Sequence, residues 1–147
     1  MTGVNPGKHS LFYPVVFKDK FDYTGFPFNT SMIKYPTLYE IISDSKLTVG
    51  VINQPGVFPP ISVNGFFISK PPSPYSDYAY PNSLRGEILS KFPNYGKPLK
   101  RDSDPHVTIK NAMEMLSLNW EVSKYLFEKN DTHLKSTMFM EVDTISH

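Results

Sequence analysis

Asp143 and His147 are the residues whose types and spacing suit chemistry. A carboxylate oxygen and an imidazole nitrogen are ordinary zinc donors, and four residues across a turn let both point into one cleft. The stretch ahead of them, Ser136-Thr137-Met138-Phe139-Met140-Glu141-Val142, reads as a buried strand that ends on Asp143. Such a strand pins its own C-terminal end inside a sheet, at the edge where α/β proteins place ligands and metals. Two donors do not hold zinc tightly, because structural and catalytic sites use three or four.

Other polar and aromatic residues carry less. His106 is expected on the surface in the first turn of a helix, and His133 precedes the last strand with no partner the sequence names. Tyr75, Tyr78 and Tyr80 share a loop over 70–82 with four prolines. They could line a stacking pocket, but anchoring the loop to the domain is the expectation. Lys97, Lys100 and Arg101 read as a solvated linker, and Trp120 as core.

The elements that must position these residues follow from local patterns. Thr2-Gly3 resembles a helix C-terminus, with Gly3 in the left-handed position. Leu11 to Phe17 is apolar and β-prone, with Pro14 suggesting an edge. Residues 18–36 read as a turn-rich loop. Thr37 and Glu40 form a capping box that starts a helix, with Leu38, Ile41 and Ile42 as its apolar face. Leu47 to Asn53 is a short buried strand, so this helix and strand make half of a parallel βαβ repeat. Residues 54–64 are a Pro-rich loop, and Phe66 to Ser69 a short strand. A short helix follows over about Ser83 to Phe92, with Ser83 as N-cap. Asp104 and Pro105 suit the N-cap and first position of the longest helix, placed over about 105–129. Ile109, Met113, Leu116, Trp120 and Phe127 mark its apolar face.

Composition narrows the class. A chain of 147 residues can bury a real core as one domain. Lys and Arg number 15 against 14 Asp and Glu, so charge offers no reason to propose nucleic acid or an anionic membrane as partner. The chain has no cysteine, which excludes disulfides and thiolate chemistry. No apolar run approaches a membrane span and the N-terminus lacks a signal peptide's apolar core, so a cytoplasmic protein is expected. Fourteen prolines interleaved with eleven phenylalanines imply long ordered loops.

Three patterns occur together: Thr2-Gly3-x-x-Pro6-x-x-His9; Val49-Gly50-Val51-Ile52-Asn53-Gln54-Pro55 with Pro59-Pro60 and Val63-Asn64-Gly65-Phe66; and Glu141-Val142-Asp143-x-x-x-His147. In this order they resemble the type I phosphodiesterase/nucleotide pyrophosphatase family of the alkaline phosphatase superfamily. The resemblance implies a partial alkaline-phosphatase-like α/β domain, with a mostly parallel central sheet flanked by helices and long Pro-rich loops. It implies two divalent metals, usually zinc, with Asp143 and His147 as ligands to one of them. One metal would activate a Thr or Ser nucleophile and the other would stabilise the leaving oxygen. The nucleophile and the remaining ligands are expected outside these 147 residues, and the resemblance matches Thr2 to the family's non-catalytic threonine. Ser10 stands where the family usually has glycine; His9 could be a ligand, but the resemblance gives its position no direct metal role, and it is expected to hydrogen-bond backbone near the catalytic loop.

The expectation is therefore one partial domain over 1–147, with core pieces at about 1–17, 36–69 and 105–147 and a Pro-rich cap at about 70–104. Its expected function is that of a metal-dependent phosphoric-ester hydrolase carrying part of a two-metal site. The expected partner is a phosphate ester or nucleotide, with self-association through exposed sheet edges. The alternative is a non-catalytic fragment that acts as a binding module.

Overall fold

The continuous apolar run Val49-Gly50-Val51-Ile52 can be buried on both faces only inside a sheet. In the computed structural model it lies in the central strand. The structure describes residues 2–5, 15–19, 22–27, 30–70 and 77–146, with side chains placed in 2–5, 30–70 and 77–143. Strands β1 (Val15–Asp19) and β2 (Asp22–Pro27) pair antiparallel as a separate two-stranded sheet. Residues 22–27 are thus a strand where a loop was expected. Tyr23, Thr24 and Phe26 favour extended backbone, and both strands of a two-stranded sheet are edges, where Pro27 is tolerated. The expected strand start at residues 11–14 lies outside the described residues. Gly3 has the left-handed φ of +67° that its position suggested.

Helix α1 (Leu38–Asp44) begins on the expected capping box: the Thr37 N–H donates to Glu40 Oε2 at 2.7 Å, and the Glu40 N–H donates back to the Thr37 hydroxyl. Its apolar face is not the expected one. Tyr39 is buried against Phe67, edge to face at 5.4 Å between ring centroids, while Leu38 and Ile41 are about half exposed. Tyr39 and Ile42 are three residues apart and share one side of so short a helix, which turns Leu38 and Ile41 outward.

The main sheet has four strands in the order β5 (Ala79–Tyr80), β4 (Gly65–Ser69), β3 (Val49–Gln54), β6 (Leu134–Thr137). β3 runs parallel to β4 and β6, and β5 runs antiparallel to β4. The sheet is therefore mixed, and β5 occupies part of the segment expected to be loop. Alternation along the strands builds a core on each face. Ile52, Phe66 and Ile68 pack under α2 (Ser83–Lys91) and α3 (Pro105–Lys129), while Val49, Val51 and Phe67 meet Tyr39 and the 55–64 loop. Ser83 lies inside α2 rather than capping it; Asn82 precedes the helix and makes no side-chain cap bond.

Gly65 explains part of the Val63-Asn64-Gly65 motif as packing. Its φ is +130°, and a Cβ there would lie 2.2 Å from the Val49 carbonyl oxygen. Asn64 Nδ2 donates to the carbonyl of Lys46 at 3.2 Å, and Asn64 O accepts from the Val49 N–H at 2.8 Å. The motif thus clamps the start of β4 to the start of β3.

α3 begins as expected: Asp104 Oδ1 accepts from the His106 N–H at 2.8 Å, with Pro105 first in the helix. Its buried side is formed by Ala112, Asn119, Val122, Ser123 and Leu126. Ile109, Met113 and Trp120 face outward, and Trp120 is 59 % exposed rather than core. Small residues let the helix approach closely, and Asn119 and Ser123 turn inward because each finds a hydrogen-bond partner there.

The end of the chain differs most from expectation. β6 stops at Thr137, the Met138 N–H donates to Ile52 O at 3.1 Å, and helix α4 (Glu141–Ser146) follows. The Met-Phe-Met run leaves the sheet level with Ile52, just before Asn53 breaks the regular line of β3 at φ +58°, and Phe139 packs near Trp120 instead. Among the described residues, no helix is long and apolar enough to cross a membrane.

Candidate functional site

A cleft of about 690 Å³ opens at the carboxyl ends of β3 and β4, between the 94–100 loop, α3 and the start of α4. Open α/β sheets bind ligands at this edge. Its floor is set by the end of β3, whose register with β4 shifts between Val51 and Gln54. Asn53 sits in this irregularity at φ +58°, a conformation that asparagine tolerates better than most residues.

Asn53 is buried, and its Oδ1 accepts from the Tyr95 hydroxyl at 2.5 Å. Burial raises the Tyr95 phenol far above its ordinary range, and the neighbouring Tyr78 and Glu141 add to this. Tyr95 therefore stays a protonated donor across physiological pH and fixes the orientation of the Asn53 amide. Tyr78 is likewise raised by burial, with the nearby Arg85 charge opposing the shift. The other amide atom, Asn53 Nδ2, is buried without a partner.

Glu141 faces the same cleft from the first turn of α4 and is 2 % exposed. Lys70 Nζ, just past β4, lies 3.3 Å from its Oε1, and Asn119 Nδ2 on α3 donates to that same oxygen at 3.1 Å. The second oxygen, Oε2, is buried without a partner. A buried carboxylate is costly unless paired and bonded, so Lys70 and Asn119 account for its tolerance. They satisfy one oxygen and leave the other as an acceptor.

The rim is cationic. Lys97 and Lys100 line the cleft with Lys70, against the carboxylates of Glu114 and Glu141. Lys97 Nζ donates to Asn94 Oδ1 at 2.7 Å, and the Lys100 carbonyl accepts from Asn111 Nδ2 at 2.9 Å. The segment expected to be a solvated linker is therefore one wall of the cleft.

The structure does not place Asp143 at a strand end. It lies in α4 and is exposed, two residues beyond Glu141. His147 and His9 lie outside the described residues, as does Tyr75. Among the described residues, no three or more His, Cys, Asp or Glu side chains are grouped to hold a metal ion. They do not by themselves make the zinc site that the resemblance implies. His106 is exposed in the first turn of α3, as expected. His133 does have a partner: the Thr48 N–H donates to its Nδ1 at 3.2 Å, with the Thr48 hydroxyl 2.7 Å from the same nitrogen. That contact joins the amino ends of β3 and β6, away from the cleft. Tyr78 is buried in the core and anchors its segment, and Tyr80 packs against the opposite core.

Sequence reading missed Asn53, Lys70, Tyr95, Asn119 and Glu141. Two signals existed. Glu141 is a charge embedded in the apolar run Met138 to Val142, and Lys70 is the first charge after the apolar strand Phe66 to Ile68. Charges in such places are paired or functional. Searches against family models, curated proteins and solved structures find no match for this chain.

Proposed function

We propose that the cleft binds a phosphate ester, and that the chain contributes this binding site to a metal-dependent phosphodiesterase-type hydrolase of alkaline-phosphatase-like fold. The observation that carries the reading is the convergence of Lys70, Lys97 and Lys100 on a cleft at the carboxyl ends of parallel strands. Ammonium groups at such an edge suit phosphate oxygens. The resemblance of the Val49 to Pro55 and Asp143-x-x-x-His147 stretches supports the same class. Asp143 and His147 remain the proposed ligands for one of two divalent ions, with further donors supplied from beyond the described residues. Nucleic acid and membrane are not proposed as partners, because the formal net charge is only +1.

A second reading, a binding module without turnover, is favoured by the exposed position of Asp143 on a surface helix. Hydrolysis of a nitrophenyl phosphodiester, followed with and without added zinc, separates the two. Zinc-dependent turnover supports the hydrolase. Calorimetric binding of inorganic phosphate without turnover supports the binding module, and K97A/K100A should weaken that binding about tenfold. No binding in either assay would remove both readings. Self-association is also proposed. β6 pairs only with β3 among the described strands, and Ile109, Met113, Trp120, Met138 and Val142 expose apolar surface. A single monomer boundary in sedimentation at high concentration would exclude it.

A further inference from the structure

We infer that Asn53 and Glu141 form a subsite for a hydroxyl group, so that the cleft takes a hydroxylated phosphate ester in preference to bare phosphate or an unsubstituted alkyl phosphate. The inference rests on the phosphate-ester reading of the cleft and specifies its ligand class. Two buried side chains from different elements line the cleft, and each keeps one unpartnered polar atom: Nδ2 of Asn53 and Oε2 of Glu141. Asn53 is 6 % and Glu141 2 % exposed, so neither atom is relieved by bulk solvent. Buried polar atoms in folded proteins are bonded almost without exception, so an unpaired donor and an unpaired acceptor lining one cleft mark a place for a ligand.

The chemistry of the pair is specific. An amide N–H can only donate and a carboxylate oxygen can only accept. A hydroxyl does both, donating its proton to Oε2 while its lone pair accepts from Nδ2. Both protein groups are held in place by their other atoms. Tyr95 fixes the amide through Oδ1, and Lys70 and Asn119 fix the carboxylate through Oε1. Tyr95 keeps its proton because burial raises its phenol, so this orientation does not reverse near neutrality. The rim lysines then hold the phosphate end, Lys97 braced by Asn94.

The test compares sn-glycerol 3-phosphate with n-propyl phosphate, which has the same carbon skeleton without hydroxyls, and with inorganic phosphate. Each is titrated into the full chain by calorimetry. Glycerol phosphate should bind at least about tenfold tighter than propyl phosphate, as hydrogen bonds to a charged group imply. In E141Q and in N53L, glycerol phosphate should bind no tighter than propyl phosphate when the two esters are compared within the same variant. Should either variant fail to fold, amide-detected NMR of the unmodified chain gives an independent reading: the Asn53 side-chain NH2 resonances should shift with glycerol phosphate and not with propyl phosphate. Equal affinity for the two esters, with inorganic phosphate still binding, would mean the pair holds only solvent; it overturns the hydroxyl subsite and leaves the phosphate reading standing. No binding of any phosphate overturns both.

Discussion

At the amino ends of β3 and β6, Thr48 and His133 bond to each other through backbone and side chain, and the His133 N–H donates to the Thr48 carbonyl at 2.9 Å. Asn64 and Gly65 close the same end of β4. At the carboxyl ends, Asn53 and Glu141 are bonded on one side only. Among the described residues, the amino end leaves the buried hydroxyl Thr132 Oγ1 without a partner. One end of the sheet spends its polar groups on holding strands together, and the other keeps strong donors and acceptors in reserve. Substitutions at the amino end should therefore act on stability, and those at the carboxyl end on ligand binding as well.

The largest expected effect sharpens this contrast at the amino end. Gly65→Ala places a Cβ against the Val49 carbonyl in a backbone conformation that L-residues avoid. It should cost upwards of about 3 kcal/mol in urea unfolding, or prevent folding. A loss under about 1 kcal/mol would show that the clamp is dispensable. At the carboxyl end, Lys70→Met removes the cation beside Glu141 and leaves a buried charge held by Asn119 alone. It should cost roughly 2 kcal/mol, and adding Glu141→Leu to it should recover much of that loss. A double variant no more stable than the single one would break the claim that the carboxylate is retained for binding.

Alkaline pH acts next, again at the carboxyl end. Burial raises the phenols of Tyr95 and Tyr78 above their ordinary value of 10.0. A folded-state pKa above the unfolded one means stability is intact below the unfolded value and falls as pH rises past it. Unfolding midpoints should thus decline above about pH 10, and Tyr95→Phe should flatten that decline. The smallest effect belongs to Glu87, beside Gly65 and Thr48 at the amino-end surface. Hydrogen bonds from Lys129 and Tyr125 lower its carboxyl below the ordinary 4.5. Its contribution is present above that value and fades as pH falls through the lowered one. Glu87→Gln should slightly shallow the acid limb of stability, since the group is mostly solvated.

Local chemistry made much of the scaffold legible. Thr37 with Glu40, and Asp104 with Pro105, announce helix starts because caps act within four residues. The run Val49 to Ile52 announces a buried strand for a similar reason. The failures share another cause. Trp120 and Ala112 lie on different sides of α3, and apolar size alone pointed to the side that carries Trp120. The buried side was decided by partners distant in sequence: Asn119 with Glu141, and Ser123 with Thr137. Met138 to Val142 read as strand because its residues are apolar, yet β6 ends level with Ile52, just before the left-handed Asn53 in β3. The α/β class was visible, whereas the mixed sheet was not, because β5 is two residues long and owes its direction to β4. The cleft was hidden because its residues come from five separate segments and share no sequence spacing.

Trp120 gives the molecule a built-in optical probe. It is the chain's single tryptophan, 59 % exposed, 6.3 Å between ring centroids from Phe139, and adjacent in sequence to Asn119. Anything that draws Glu141 and Asn119 toward a bound molecule pulls on both sides of that aromatic pair. Occupation of the cleft should therefore change the colour and quenching of the protein's own emission, without any label.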